Sequence, residues 1–168
     1  LEHIAHCATV YYCPAARNFF LYRWEAPLPT SPACNSRCIG CISWQPKTSG
    51  MVSPQNRITF IPTPEEIAEL AVFHIAHAPD PVVSFGQGCE GEPLQVWETI
   101  LESIKIMRSK TKEGIINLNT NGSNPHAIEK LVESGLDSIR ISMNSAQEKL
   151  YNLYHNPTNY AFSDLAES

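Results

Sequence analysis

The chain has 168 residues, of which 43% are hydrophobic and 17% charged, and its formal net charge at neutral pH is -5. This length and balance are typical of one globular domain with a sizeable core. The acidic charge argues against a nucleic-acid-binding protein, and no apolar run approaches the roughly 20 residues of a membrane-spanning helix. Because the first residues also lack the pattern of a signal peptide, we expect a cytoplasmic protein in which clustered cysteines bind metal or take part in catalysis.

Residues 1–25 are predicted to form an N-terminal segment that precedes the main domain. Within it, Phe19–Trp24 (FFLYRW) is a candidate for an extra short strand. Three prolines follow at positions 27, 29 and 32, and each removes a backbone hydrogen-bond donor. A strand at this point can therefore lie only at the edge of a sheet.

The stretch CNSRCIGC places three cysteines, Cys34, Cys38 and Cys41, within eight residues. A closed structural zinc site needs four protein ligands, and a disulfide framework needs an even number of cysteines. Three thiols in one short loop are better suited to a metal centre that keeps one position open. The connection over residues 42–62 that follows is long, and loops of that length are usually functional or mobile.

Helix and strand patterns alternate along the rest of the chain. Thr63-Pro64-Glu65-Glu66 is a capping box with proline at the first helical position, which is a specific signal for the start of a helix. Helices are predicted over residues 64–78, 94–110, 125–135 and from 146 toward 154, and strands over residues 81–86, 114–121 and 137–145. This alternation predicts a parallel sheet built from βα repeats.

The polar residues of two neighbouring strands share one face. Asn117, Asn119 and Asn121 alternate with Ile116 and Leu118, and in the next strand Arg140, Ser142 and Asn144 alternate with Ile139, Ile141 and Met143. Strands of a doubly wound sheet are usually apolar on both faces, so a curved sheet with a polar ligand on its concave side fits better. We therefore predict an α/β fold, a partial TIM-type barrel of (βα) repeats with about four strands present and the barrel truncated. The alternative is a solvent-exposed face of an α+β sheet.

The spacing Cys-x3-Cys-x2-Cys at the start of a βα-repeat domain resembles the radical S-adenosylmethionine (radical SAM) superfamily. In that family three cysteines hold a four-iron four-sulfur (4Fe-4S) cluster, and S-adenosylmethionine chelates the fourth iron. The resemblance gives the ligand roles to Cys34, Cys38 and Cys41. It implies that residues 26–168 form the N-terminal part of a radical SAM core domain, which is incomplete because the fifth and sixth strands have no counterpart before Ser168.

A second motif, Glu90-Gly91-Glu92-Pro93, is similar to the Gly-Gly-Glu-Pro whose backbone meets the methionine amino group in this family, although its first glycine is replaced. Gly86, Gly88 and Gly91 would also let the chain approach a ligand closely. By the resemblance, the cofactor-binding positions are Gly40, Gly91, Glu92, Pro93, Asn119, Asn121, Ser142 and Asn144. Gly40 departs from the many relatives that carry an aromatic residue there, so only its backbone remains for a contact.

The resemblance implies an enzyme that reductively cleaves S-adenosylmethionine to a 5'-deoxyadenosyl radical, which then abstracts hydrogen from a substrate. It also implies an electron donor such as flavodoxin or ferredoxin. The substrate and the catalytic residues beyond the cofactor site are not identified. The alternative is a non-catalytic metal-binding module, either a bare iron-sulfur site or a structural zinc site made by Cys34, Cys38 and Cys41 with Cys89 or a histidine.

A looser group near the N-terminus contains His3, His6, Cys7 and Cys13. The resemblance would allow them to hold an auxiliary cluster if further thiols joined them. The competing interpretation is that these scattered side chains have no shared role. Cys89 is expected to be a small buried residue beside the main site.

Aromatic and imidazole side chains elsewhere are expected to pack. Tyr151, Tyr154 and His155 follow the last predicted strand and either line a substrate pocket or pack the last helix. His74 and His77 lie on or beside the apolar face of the helix over residues 64–78, where they are expected to pack.

Overall fold

The computed structural model describes all 168 residues, Leu1–Ser168. Its centre is a four-stranded, unclosed, all-parallel sheet in the order β1-β2-β3-β4. The strands are β1 (Glu25–Pro27), β2 (Val82–Phe85), β3 (Ile115–Thr120) and β4 (Ser138–Ile141). The spatial order of the strands follows their order in the chain without reversal, whereas a doubly wound sheet reverses it. The prediction of a partial (βα) barrel of the TIM type is therefore confirmed.

Seven α-helices surround this sheet. They are α1 (Glu2–Thr9), α2 (Pro14–Phe20), α3 (Pro64–His77), α4 (Trp97–Lys110), α5 (Pro125–Ser134), α6 (Glu148–His155) and α7 (Phe162–Glu167). The predicted capping box begins α3, since the Thr63 hydroxyl accepts from the Glu66 N–H and the Glu66 carboxylate accepts from the Thr63 N–H. None of the helices combines the length and the apolar character that crossing a bilayer requires.

The predicted strand at Phe19–Trp24 is wrong. Pro14 occupies the first turn of α2, and Ala16 and Phe19 bury one side of that helix at helical spacing. The chain then turns through Tyr22 and Trp24, both with positive φ, before β1 begins. The aromatic run therefore serves a helix and a turn, and the N-terminal segment is helical.

Two predicted element boundaries also shift. The helix predicted over residues 94–110 is preceded by a 3-10 turn, Pro93–Val96, and its α-helical part begins at Trp97. Strand β4 ends at Ile141, so Ser142 and Asn144 lie in the loop after it. As the prolines require, β1 lies at the edge of the sheet.

The two faces of the sheet differ as the alternation predicts. Val83, Phe85, Ile116 and Leu118 are fully buried in the main core with residues of α3, α4 and α5. On the other face hydrogen bonds cross the sheet: the Ser84 hydroxyl donates to Glu25 (2.5 Å), the Asn117 amide to Ser84 (3.2 Å), and Arg140 to Glu25 (3.0 Å). Ser84 and Asn117 are buried, so this face is not the solvated face of an α+β sheet.

Candidate metal and cofactor site

The loop with three cysteines begins beyond the carboxyl end of β1. The Leu28 N–H, just after β1, donates to the Ser84 carbonyl of β2 at 2.8 Å. Cys34, Cys38 and Cys41 are partly buried, and all three line one pocket of about 450 Å³. The carboxyl ends of parallel strands are where sheets of this type bind ligands.

The three thiols have different electrostatic surroundings. Burial raises the pKa of Cys34, and burial together with the neighbouring Cys34 and Cys41 raises the pKa of Cys38 to about 11. Burial also acts to raise the pKa of Cys41, but hydrogen bonds from Ser43 and the backbone and the charge of Arg57 outweigh it, so the pKa is lowered. The Arg57 guanidinium lies 3.6 Å from the Cys41 sulfur. A metal bound here must therefore displace protons from Cys34 and Cys38.

The loop over residues 86–92 forms a second wall, and Glu90 joins it to the cysteine loop. One Glu90 carboxylate oxygen accepts from the backbone N–H groups of Thr30 (2.8 Å) and Ser31 (2.9 Å), and the other from those of Gly86 (2.6 Å) and Gln87 (3.1 Å). Burial raises the pKa of Glu90, and these four bonds oppose that shift. The side chain thus connects the segment before Cys34 to the end of β2.

Glu92 makes an equivalent connection to β3. Its carboxylate accepts from the Thr120 hydroxyl, from the Asn121 N–H (2.8 Å) and from the Leu94 N–H (3.1 Å). Burial raises the pKa of Glu92 to about 7, although the three donors favour the carboxylate. Glu92 therefore fixes the end of β3 against the start of the helical turn at Pro93.

The predicted polar residues of β3 and β4 reach the same pocket in two ways. The Asn119 amide donates to the Phe85 carbonyl (2.9 Å), and the Asn121 amide donates to Asn35 (2.7 Å) and to Ser36 (3.1 Å) in the cysteine loop. Ser142 and Asn144 are exposed and line the pocket. The two asparagines thus hold the walls together, while the residues after β4 remain open to a ligand.

The end of α6 covers the cysteine loop. The Arg37 and Ile39 N–H groups donate to the carbonyls of His155 (2.9 Å) and Tyr154 (3.0 Å), and the His155 Nδ1 lies 3.4 Å from the Cys38 sulfur. Tyr154 and His155 line the pocket, whereas Tyr151 is fully buried. A Cβ at Gly40 would lie 2.4 Å from the Tyr154 hydroxyl oxygen, so the tyrosine side chain would have to move if position 40 carried a side chain.

Sequence reasoning missed three contributors to this site. Nothing in the sequence marks Arg57 except that it is a basic residue in a long loop. The hydrogen bonds by which Glu90 connects the two loops involve residues up to 60 positions away in the sequence. Tyr160 lies 2.8 Å from the Ser36 hydroxyl and 2.8 Å from the Tyr151 hydroxyl, and so links the cysteine loop to α6. Only the position of Glu90 in the motif marked it beforehand.

A compact group of possible metal ligands lies outside the cysteine loop. The chain contains one group of three possible ligand atoms within 4.8 Å of one another, and that group is His3, Cys7 and Cys89. Around one tetrahedral zinc with Zn–S bonds of about 2.3 Å, sulfurs lie about 3.8 Å apart. Cys34, Cys38 and Cys41 line one pocket but do not form so compact a group.

Cys89 lies away from this pocket. It is buried in a second core cluster that also contains Ile4, Cys7 and Phe19, so it does not complete a four-cysteine zinc site. The predicted N-terminal group is also rearranged, because His3 and Cys7 meet Cys89 rather than His6. His74 packs as expected, fully buried beside Phe19 with its Nε2 2.7 Å from the Trp24 carbonyl oxygen.

The comparisons with known proteins agree with this site. Residues 28–167 match the sequence model of the Radical SAM superfamily. Among curated proteins none matches the chain. The matched range includes the cysteine loop, all four motif residues from Glu90 to Pro93 and three of the four strands, β2, β3 and β4. The chain therefore belongs to the radical SAM superfamily.

Proposed function

We propose that this chain binds a 4Fe-4S cluster through Cys34, Cys38 and Cys41 and binds S-adenosylmethionine beside it. The observation that carries the proposal is the convergence of these thiols, the Gly91-Glu92-Pro93 motif and the polar ends of β3 and β4 on one pocket. When bound and reduced, these cofactors supply the cleavage of S-adenosylmethionine to methionine and a 5'-deoxyadenosyl radical, which abstracts hydrogen from a substrate.

The protein prepares the thiols for this role. Cys41 lies beside Arg57, whose positive charge favours the thiolate over the thiol. Cys38 lies beside His155, whose pKa is lowered by burial, so the imidazole is neutral and able to exchange a proton with the thiol. The remaining ring nitrogen of His155, Nε2, is buried and has no protein hydrogen-bond partner.

The motif loop offers acceptors rather than donors to the methionine end of the cofactor. The N–H groups of Gly91 and Glu92 already donate to the carbonyls of Ser31 (2.6 Å) and Ala33 (2.8 Å). An ammonium group has three donors and no acceptor, so it would bind the carbonyl oxygens of this loop. We expect Ser142 and Asn144, which are exposed to the pocket, to contact the ribose or the carboxylate.

Tyr154 replaces the aromatic residue that many relatives carry before the third cysteine. Its phenol lies against Gly40, in the space that a side chain at that position would enter. We propose that the Tyr154 ring contributes the aromatic contact near the adenine and that the Gly40 backbone contributes the polar one.

The cluster needs a reduced partner such as flavodoxin or ferredoxin. Ile39 and Ile42 flank the cysteines and are 59% and 48% exposed. They offer exposed apolar surface beside the thiols that such an electron donor could contact.

Anaerobic reconstitution with iron and sulfide tests the proposal. We expect about four irons and four sulfides per chain, and an electron paramagnetic resonance spectrum of the reduced cluster that changes when S-adenosylmethionine is added. Cys34→Ala, Cys38→Ala and Cys41→Ala should each abolish the iron, whereas Cys13→Ala, outside the pocket, should retain it. Stoichiometric zinc at these three cysteines without iron would contradict the proposal, and an unchanged spectrum with no calorimetric binding would leave a bare iron-sulfur module.

A further inference from the structure

A second cluster of metal-ligating side chains lies outside the pocket. His3 and Cys7 face the same side of α1, four residues apart, and Cys89 reaches them from the loop after β2. The three possible ligand atoms lie within 4.8 Å of one another. Cys7 and Cys89 are 1% and 4% exposed, so water competes little for this position.

The one distance known within this group is that of two ligands of a tetrahedral ion. The Cys7 sulfur lies 3.6 Å from the His3 Nε2. A tetrahedral zinc with Zn–S of about 2.3 Å and Zn–N of about 2.05 Å separates these two atoms by about 3.6 Å. The His3 and Cys7 ligand atoms are therefore already spaced as they would be around one ion, and the Cys89 sulfur lies within 4.8 Å of both.

Cys13 is the candidate for a fourth ligand, and its sulfur would have to turn toward the group formed by His3, Cys7 and Cys89. Cys13 packs against the same buried cluster, and its backbone N–H donates to the Cys7 carbonyl at 3.0 Å. It follows α1 directly and precedes α2, so the turn between the two helices determines its position. Three cysteines and one histidine are a common ligand set of closed structural zinc sites.

We propose that His3, Cys7 and Cys89, with Cys13 as the fourth ligand, form a structural Zn²⁺ site that is separate from the radical SAM cluster. Thiolate and imidazole ligands in a tetrahedral arrangement favour zinc over harder cations.

The site would connect the N-terminal helices to the cofactor pocket. Cys89 is followed directly by Glu90, whose carboxylate accepts from the Thr30 and Ser31 N–H groups before the cysteine loop. The Cys89 carbonyl also accepts from the Ile58 N–H at 2.8 Å, in the long loop that carries Arg57. A metal at Cys89 therefore holds both walls of the pocket against α1.

The test uses the full chain with Cys34, Cys38 and Cys41 replaced by Ala, so that metal at the first site cannot be mistaken for metal at the second. We expect this protein to bind one Zn²⁺ per chain in competition with a chromophoric chelator. Co²⁺ in place of Zn²⁺ should give thiolate charge-transfer bands and the intense ligand-field bands of tetrahedral cobalt. Zn²⁺ should also raise the unfolding temperature.

Single substitutions in the same background locate the ligands. Cys7→Ala and Cys89→Ala should abolish stoichiometric binding, and Cys13→Ala should weaken it by at least the 10- to 100-fold that loss of an outer-shell partner costs. His3→Ala should weaken it, whereas His6→Ala, on the same helix but outside the cluster, should not. Circular dichroism of each variant separates lost binding from lost folding.

Several outcomes would overturn the proposal. They are a folded protein that binds no zinc, equal zinc affinity of the Cys7→Ala and His6→Ala variants, or a Cys7–Cys89 disulfide in place of metal. An unchanged affinity of Cys13→Ala would remove Cys13 from the ligand set. If the triple variant does not fold, the zinc content of the wild-type chain is compared with that of Cys7→Ala after both have been reconstituted with iron. Cys7→Ala should contain one zinc less than the wild-type chain and the same amount of iron. An unchanged zinc content would contradict the proposed site.

Discussion

Replacing Gly91 by Ala tests how the motif loop holds the cysteine loop. The Gly91 N–H donates to the Ser31 carbonyl at 2.6 Å, and the Glu92 N–H to the Ala33 carbonyl at 2.8 Å. A Cβ at position 91 would lie 1.9 Å from the Ala33 carbonyl oxygen and 2.5 Å from its carbonyl carbon. Those atoms belong to the backbone and cannot rotate away, so the two segments must separate by more than about 1 Å to reach ordinary contact.

The cost follows from what the separation breaks. Each of the two backbone hydrogen bonds is worth about 1 kcal/mol net, and a buried group left unpaired costs about 1–3 kcal/mol. Overpacking alone costs about 1–3 kcal/mol. Because separating the two segments relieves the overpacking while it breaks the hydrogen bonds, the two costs do not simply add. We expect Gly91→Ala to lower the free energy of unfolding by about 3 kcal/mol. Cys34 follows Ala33 directly, so the displaced backbone should also lower the amount of iron retained after reconstitution.

Gly88→Ala is the matched control in the same loop. Its Cβ would lie 2.5 Å from the Ile42 Cδ1 and 2.9 Å from the Gln55 Nε2, which are the ends of flexible side chains. We expect it to cost less than about 1 kcal/mol, with normal iron content. Urea unfolding of the metal-free proteins and iron analysis after reconstitution measure both effects. Equal unfolding midpoints and equal iron for the two variants would refute this account of Gly91.

Three further predictions concern the side chains that connect the walls, each measured by urea unfolding. Glu90→Ala leaves two buried and two partly buried N–H groups without their acceptor and should cost on the order of 4 kcal/mol. The exposed Glu69→Ala on α3 should cost far less, and equal costs would contradict this role of Glu90. Glu92 has a pKa of about 7 against a reference of 4.5, so between these pH values the native state binds more protons than the unfolded chain. The free energy of unfolding should therefore fall by about 3 kcal/mol as pH rises through that window. Glu92→Gln should reduce the slope of the free energy of unfolding against pH, and an unchanged slope would exclude Glu92 as its source. Tyr160→Phe removes a hydroxyl that is hydrogen-bonded to the cysteine loop and to α6, and it should lower the free energy of unfolding by about 2 kcal/mol. Tyr22→Phe, at an exposed position, should leave it almost unchanged. A larger loss for Tyr22→Phe than for Tyr160→Phe would contradict the proposed role of the Tyr160 hydroxyl.

The parts of the fold that could be predicted from the sequence depend on local chemistry. The Thr63–Glu66 box needs only four consecutive residues to specify the start of α3. Gly135 ends α5 because it adopts a left-handed conformation with φ of 113°. The alternation of Asn117 with Ile116 and Leu118 indicated which face of β3 is apolar, since the period of a strand is two.

The wrong strand prediction at Phe19–Trp24 also came from local chemistry. Aromatic residues are enriched in strands, and a run of them next to a proline-rich segment favours a strand prediction. The pattern of burial, however, begins before the run, at Ala16, and reaches Phe19 three residues later. Tertiary packing of α2 against α1 and β1 outweighs the local preference.

The replaced glycine of the motif shows why the rest of the site could not be predicted. At sequence level, Glu90 is a departure from Gly-Gly-Glu-Pro that weakens the match. In the structure its carboxylate binds four backbone N–H groups, two of them before the cysteine loop and two after β2, so the side chain stabilises the walls that the motif belongs to. The glycines of this loop also allow close packing within the chain itself, independently of any ligand. A Cβ at Gly86 would lie 1.8 Å from the Asn119 carbonyl oxygen, and one at Gly91 would clash with the Ala33 backbone. The contacts of Glu90 with Thr30 and Ser31 and those of the two glycines join residues 33 to 60 positions apart, and only the folded chain brings them together. The side chains that position the cysteine loop could therefore not be predicted from the sequence, whereas the spacing of the three cysteines could be recognised in it, and their role as metal ligands stays a prediction.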